Sequence, residues 1–226
     1  MVRRDEGRLT DMLNSRSNLL LACALSGLAG YADGIGFIHL GGLFVSFMSG
    51  NSTRLGVTVA DMEVAKAIEA LQLIGLFVLG AGAGSLIGRG RGKHRQWVLL
   101  LTEAMLLGAG ALAYFYGAPH LTVAALVLAM GLENAVSQSE TCAAGIGLTY
   151  MTGTLVKVGQ GLAMVLVGGP RWGWLPNFLL WTALVIGAAI GALAYQRLNL
   201  HAVWCAAAFA LLLSISTGIA AYRAKV

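Results

Sequence analysis

Residues 41–60 read GGLFVSFMSGNSTRLGVTVA and residues 146–168 read IGLTYMTGTLVKVGQGLAMVLVG. Both stretches are largely apolar, and both are interrupted by a Met, a hydroxyl residue and a Gly in a row, Met48-Ser49-Gly50 in the first and Met151-Thr152-Gly153 in the second. Whether they cross a bilayer, or enter it and turn back, decides the topology of the whole chain.

Composition identifies the solvent. Of 226 residues 58% are hydrophobic and 11% charged, with mean hydropathy +0.76, whereas a soluble domain carries about 25% charged residues. An integral membrane protein is expected, with the lipid bilayer as its first partner. The net charge of +5 does not point to nucleic acid, because the basic residues lie mostly between apolar runs, where they set membrane topology. Cys23, Cys142 and Cys205 are too few and too scattered for a disulfide framework or a metal site. His39, His94, His120 and His201 sit near predicted span ends without ligand spacing, so neither metal nor cofactor is expected. The run GAGAGSLIG has no strand before it and does not read as a nucleotide loop. Ser49 with Asp33 is the one nucleophile–acid pair worth weighing, and no histidine supports it. The chain is not expected to be an enzyme.

Runs of roughly 20 residues, enough to cross about 30 Å of hydrocarbon, fall at about 18–38, 67–88, 97–116, 121–140, 175–195 and 202–221. The first, behind Arg3, Arg4, Arg8 and Arg16, reads as an uncleaved helix rather than a secretory signal, because further spans follow at once. If the two motif stretches also crossed, positive charge would be divided between the faces. If each turns back, Arg3, Arg4, Arg8, Arg16, Arg89, Arg91, Lys93, Arg95, Lys157, Arg171, Arg223 and Lys225 collect on the inner side. That leaves only Arg54, Lys66 and Arg197 outside, so twelve of the fifteen Lys and Arg are inside, as the charge bias requires. Six spans with two re-entrant segments and both termini cytoplasmic is the expected topology.

Backbone that is not helical is tolerated at membrane depth only against protein or a water-filled cavity, so the re-entrant segments should line something. Gly41 and Gly42, and Gly145 and Gly147, suit an irregular approach. Ser49 and Thr152 are candidate caps of the short helices that follow. Free N–H groups and the positive dipole ends would then stand at mid-membrane, a place to hold an anion.

The halves also match one another. Gly30-Tyr-Ala-Asp33-Gly aligns with Gly131-Leu-Glu-Asn134-Ala, Arg54 falls opposite Lys157, Gly80 and Gly84 are spaced as Gly187 and Gly191 are, and His94 and Trp97 as His201 and Trp204 are. Three spans per half is an odd number, so the halves must be oppositely oriented, the inverted-repeat plan of many transporters. The fold class expected is all-α integral membrane: six transmembrane helices as two inverted three-helix repeats, each with a re-entrant half-helix. Residues 1–17 form a basic cytoplasmic tail, 18–116 the first repeat, 117–222 the second, and 223–226 a cytoplasmic end.

YADGIGF followed by GGLFVSFMSGNSTRLG, and GLENA followed by TYMTGTLVKVGQGLA, resemble the paired motifs of the YoaK family of small bacterial membrane proteins, over the chain from about 18 onward. The resemblance implies a multi-pass, transport-like protein of the bacterial cytoplasmic membrane. Where that family tends to carry Gln before the Asn of the second half, this chain has Glu133.

The expected function is transport of a small polar, anionic solute bound at paired half-helix N-termini near the midplane. Ser49, Gly50, Asn51, Ser52, Arg54, Asn134, Thr152, Gly153, Thr154 and Lys157 are the candidate binding residues. Asp33 and Glu133 are the candidates for a coupling proton, because an intramembrane carboxylate is costly unless it serves a function. Each residue has a plainer reading: Asp33 as a motif-capping acid, Glu133 in an ion pair with Lys157 or Arg54, and the hydroxyls in helix packing. Glu103, unmatched in the other half, reads as a buried packing hydrogen bond. The Gly-x-x-x-Gly runs read as close helix contacts, between repeats or subunits, and Trp172, Trp174, Trp181, Tyr114 and Tyr116 as interface belts. A passive channel of the same architecture and a non-transporting assembly protein remain alternatives. A homodimer is expected from the small-residue faces.

Overall fold

The computed structural model describes the backbone of residues 2–137 and 151–223, and the side chains of 17–136 except Lys93 together with 151–223. Regular structure among those residues is helical: α1 (Val2–His39), α2 (Met48–Ala60), α3 (Val64–Gly88), α4 (Arg95–Phe115), α5 (Pro119–Ser137), α6 (Met151–Leu166), α7 (Leu175–Leu198) and α8 (Val203–Arg223). Gly145, Gly147, Glu140 and Cys142 lie outside the described residues.

Five helical stretches are long and apolar enough to cross a membrane: Ser17–His39, Val64–Gly88, Arg95–Phe115, Pro119–Val136 and Leu175–Arg223. The last runs to 49 residues because it contains both α7 and α8, separated by a 3-10 turn at Asn199–Ala202. The first motif helix is short. At 1.5 Å per residue, the 13 residues of α2 reach about 20 Å, less than the hydrocarbon core; the 16 described residues of α6 begin where the described part of the chain resumes.

Where helices stop is readable from their glycines. Gly41 and Gly42 have φ of +62° and +102°, and the Gly42 N–H donates to Phe37 O at 2.8 Å, the six-to-one bond of a Schellman ending. The ends of α4 and α6 repeat it with Gly117 and Gly168 in the left-handed region. The end of α2 repeats it with a methionine, Met62, at φ +58°.

Glycines also set the crossings. On α1, Gly30 lies against the backbone of Leu184 and Ala188, and Gly34 against Ala188 and Ala192. From α7, Gly187 and Gly191 lie against Gly27 and Tyr31. The numbers rise together, so α1 and α7 run parallel. The same positions of the other half build the α5–α3 crossing, where Gly131 lies against Phe77 and Ala81, and Gly80 and Gly84 against Leu128 and Leu132. The Gly-x-x-x-Gly runs thus join the two halves of one chain. In contrast α4 and α5 form an antiparallel hairpin, with Thr122 Oγ1 donating to Gly110 O at 2.8 Å. The α4–α8 pair is antiparallel too: Ser214 Oγ donates to Trp97 O at 2.8 Å, and Tyr114 meets His201 edge to face at a ring separation of 4.7 Å.

These directions place the C-terminal ends of α1, α4 and α7 and the N-terminal ends of α3, α5 and α8 at one end of the bundle. The segment 40–63, with α2 inside it, leaves that end and returns to it. The α5 C-terminus and the α7 N-terminus meet the opposite end, with α6 between them in the chain.

Candidate functional site

The first motif is a loop clamped from two helices. Asp33, on α1, accepts the N–H groups of Val45 and Ser46 on Oδ1 at 2.8 and 2.7 Å and the Ser46 hydroxyl on Oδ2 at 2.6 Å. The Phe47 N–H is turned to the same carboxylate. Asn51, on α2 and fully buried, accepts the Phe44 N–H at 2.9 Å and donates to Phe44 O at 2.7 Å. With no ladder or helix to pair residues 44–46, these two side chains supply what a buried backbone requires. Phe37 meets Phe44 at a tilt and Phe44 meets Phe47 edge to face, at ring separations of 5.1 and 5.2 Å. Gly50 lets them do so, because a Cβ there would stand 2.6 Å from the Phe47 ring.

Two expectations change. Ser49 is not a cap: α2 begins at Met48 with Phe47 as the N-cap residue and no side-chain cap bond. The anion at this helix start is the carboxylate of Asp33, delivered from a different helix. Asp33 thus holds the amides of the loop that leads into α2, while Met48, Gly50 and Asn51 at the helix start donate to Ser46 O and Phe47 O.

Beside the clamp lies a groove of about 680 Å³, lined by Ser49, Gly50, Thr53 and Arg54 of α2, by Phe37, Gly42, Phe44 and Phe47, and by Asp61, Glu63 and Lys66 beyond. Arg54 donates to Gly41 O at 3.1 Å. Lys66 is bonded to Glu63 at 2.8 Å, which leaves the exposed Arg54 guanidinium facing the groove. Ser52 and Thr53 turn their hydroxyls back to Met48 O and Ser49 O. Of the candidate binding residues of this half, Ser49, Gly50 and Arg54 meet at the groove, while Asn51 is spent on Phe44.

In the second half Thr152 and Lys157 are exposed on α6, Gly153 is half-buried and Thr154 fully buried. Asn134 donates to Met130 O at 2.9 Å. Among the described residues α2 packs on α3 and α6 on α7, and the two motif helices do not pack on one another.

Glu133 makes no ion pair with Arg54 or Lys157; the ion pair among the described residues is Lys66–Glu63. Instead Glu103 and Asp33 both lie within electrostatic reach of it. Glu103 is not in a packing hydrogen bond, since neither of its carboxyl oxygens has a partner. As an intramembrane acid it was visible in the sequence; the repeat gave it no polar counterpart, Ala210 standing at the matching place.

An all-helical bundle with five membrane-length apolar stretches defines a multi-pass membrane protein. Residues 21–216 match the DUF1275 family, described as "Protein of unknown function", and the chain belongs to that family. It is 36% identical over 208 residues to the UPF0700 transmembrane protein RA0705 of Rhizobium meliloti (strain 1021), covering 92% of this chain and 89% of that protein. It is 26% identical over 151 residues to the UPF0700 transmembrane protein YoaK of Bacillus subtilis (strain 168), covering 63% of this chain and 65% of that one. The YoaK resemblance read from the motifs therefore holds. No solved structure matches the chain.

Proposed function

We propose that this protein is a transporter of a small polar, anionic solute in the bacterial cytoplasmic membrane, built from six crossings in two oppositely oriented halves with both termini cytoplasmic. The equivalent glycine crossings α1–α7 and α5–α3 support the repeat. Length supports six crossings: the 49 residues of Leu175–Arg223 would extend about 74 Å as one helix, more than twice the hydrocarbon thickness. The return of segment 40–63 to its starting end supports α2 as a re-entrant helix.

The observation that carries the functional reading is the groove at the α2 start. A buried scaffold of Asp33 and Asn51 holds a non-helical segment in place, and the exposed groups beside it, Ser49, Thr53 and the Arg54 guanidinium, line an open cavity. A protein that needed only to pack its helices has no use for backbone held at this cost. Arg54, as a planar donor fork, suits a carboxylate or another oxyanion. Alternation between the two ends would follow from movement of one half against the other across the glycine crossings.

The test is ligand-dependent thermal stability of the purified protein across small carboxylates, inorganic oxyanions and neutral polar solutes. A solute bound only by the folded form at a hundredfold over its Kd adds about 2.7 kcal/mol. We expect an anion to raise the unfolding midpoint of wild type and not of Arg54→Ala, and the same anion to enter proteoliposomes containing wild type. Stabilisation by neutral solutes alone, undiminished in Arg54→Ala, rejects the anionic reading.

A further inference from the structure

Glu103 on α4 and Glu133 on α5 are 0% and 2% exposed. Both carboxyl oxygens of Glu103, and Oε1 of Glu133, lack any hydrogen-bond partner. An ionised carboxylate in such a place costs several kcal/mol unless paired, and a second one facing it adds repulsion.

Among the described residues neither acid is in an ion pair; Arg95, at the start of α4, donates to Ala135 O of α5 at 3.0 Å. From α1 comes Asp33, another acid, whose oxygens are taken by Val45, Ser46 and the Ser46 hydroxyl. From α8, packed on α4, come Ala206, Ala207 and Ala210. From α3, packed on α5, comes a surface with no charged residue between Ala70 and Gly88.

Nor does packing require acids here. The positions matching Glu103 and Glu133 in the other half are Ala210 and Ala32, and both are fully buried. Each acid is an addition to one half of a repeated frame, and both additions are buried on the packed α4–α5 hairpin.

We propose that Glu103 and Glu133 together form a proton-binding site at the heart of the bundle, distinct from the Asp33 clamp. The step is simple protonation: an Oε–H bond forms as a hydronium ion loses its proton, and the reverse occurs when water reaches the pair. Buried and in no ion pair among the described residues, the two carboxyls stay neutral; hydrated from either end, they can release protons to that end. Joined to the transport reading on which this role rests, the pair couples proton movement to the solute, and Glu103 carries it as much as Glu133 does.

The experiment is infrared spectroscopy of the full chain in nanodiscs at neutral pH, reading the C=O stretch of protonated carboxyl groups. Wild type should show the band, with a shift on exchange into heavy water. It should fall by about half in Glu103→Gln and in Glu133→Gln and vanish in the double variant, while Asp33→Asn leaves it intact. A wild type without the band, a double variant with the full band, or a band removed by sodium chloride but not by choline chloride at fixed pH would each overturn the proposal. If a Gln variant does not fold, Glu103→Asp and Glu133→Asp should each shift the band, and a band unmoved by both overturns the proposal. Because the measurement needs no solute, its failure is separate from failure of the transport reading, which the stability screen tests.

Discussion

Asn51 closes on the backbone of Phe44 from both sides, accepting its N–H at 2.9 Å and donating to its carbonyl at 2.7 Å. A single side chain thus satisfies one whole peptide position in a loop that has no other way to pair it. Asn51→Ala leaves both backbone groups unmatched, at about 1–3 kcal/mol each where they stay buried. A loss of about 2–6 kcal/mol is expected, read as a lower unfolding midpoint of the purified protein. A midpoint equal to that of wild type would mean that Asp33 alone holds the loop.

Asp33 should behave as a clamp and not as a titrating group. Asp33→Asn keeps an oxygen for the Val45 and Ser46 amides, and its new amide can donate to the Ser46 hydroxyl. Asp33→Ala keeps none of these. We expect the Asn variant to purify as a single species with a modestly lower midpoint, and the Ala variant to lose at least twice as much stability, because charge-assisted bonds contribute about 1.5–3 kcal/mol each. Equal losses in the two would contradict the clamp.

The glycine crossings predict a matched contrast. A Cβ on Gly80 or on Gly187 would run into the carbonyl oxygen of Leu128 or Gly27, whereas Gly82, two residues from Gly80, has nothing within 4 Å. Gly80→Ala and Gly187→Ala should each destabilise the fold by about 1–3 kcal/mol, the usual cost of overpacking. Gly82→Ala should be neutral or better, since glycine is the poorer helix former. Thermal unfolding of the three variants side by side checks the contrast.

Met62 holds a left-handed conformation, φ +58°, at a helix end of the kind that Gly117 and Gly168 serve elsewhere in the chain. Left-handed backbone costs a residue with a Cβ roughly 1–2 kcal/mol. Met62→Gly should therefore stabilise the protein by about 1 kcal/mol, and its exposed side chain takes little packing with it. A fall in the midpoint would show that the methionine is held by something outside the chain, such as lipid.

Glu103 trades stability for its role. Replacing a buried, unpartnered acid by an apolar side chain of similar volume removes a desolvation cost of about 1–3 kcal/mol. Glu103→Met is expected to unfold at higher temperature than wild type and to lose any dependence of solute uptake on a pH gradient. An unfolding temperature below that of wild type would mean that the carboxyl has a partner that stabilises it.

Much of the architecture was legible in the residues. Apolar runs measured against hydrocarbon thickness locate the crossing helices, because length and hydropathy are local properties. The Met-Ser-Gly motif marks the start of a helix too short to span, and Gly80, Gly84, Gly187 and Gly191 mark close contacts. All of this depends on neighbours in the chain.

What the sequence alone did not determine depends on who meets whom. That Asp33 clamps a loop twelve residues away follows from how α1 stands beside the approach to α2. That Glu103 and Glu133 share one dry interior follows from the α4–α5 hairpin closing under α1 and α8. The physical reason is common to both. The cost of burying a charge depends on the partners that surround it in space, and those partners come from helices that only the folded chain brings together.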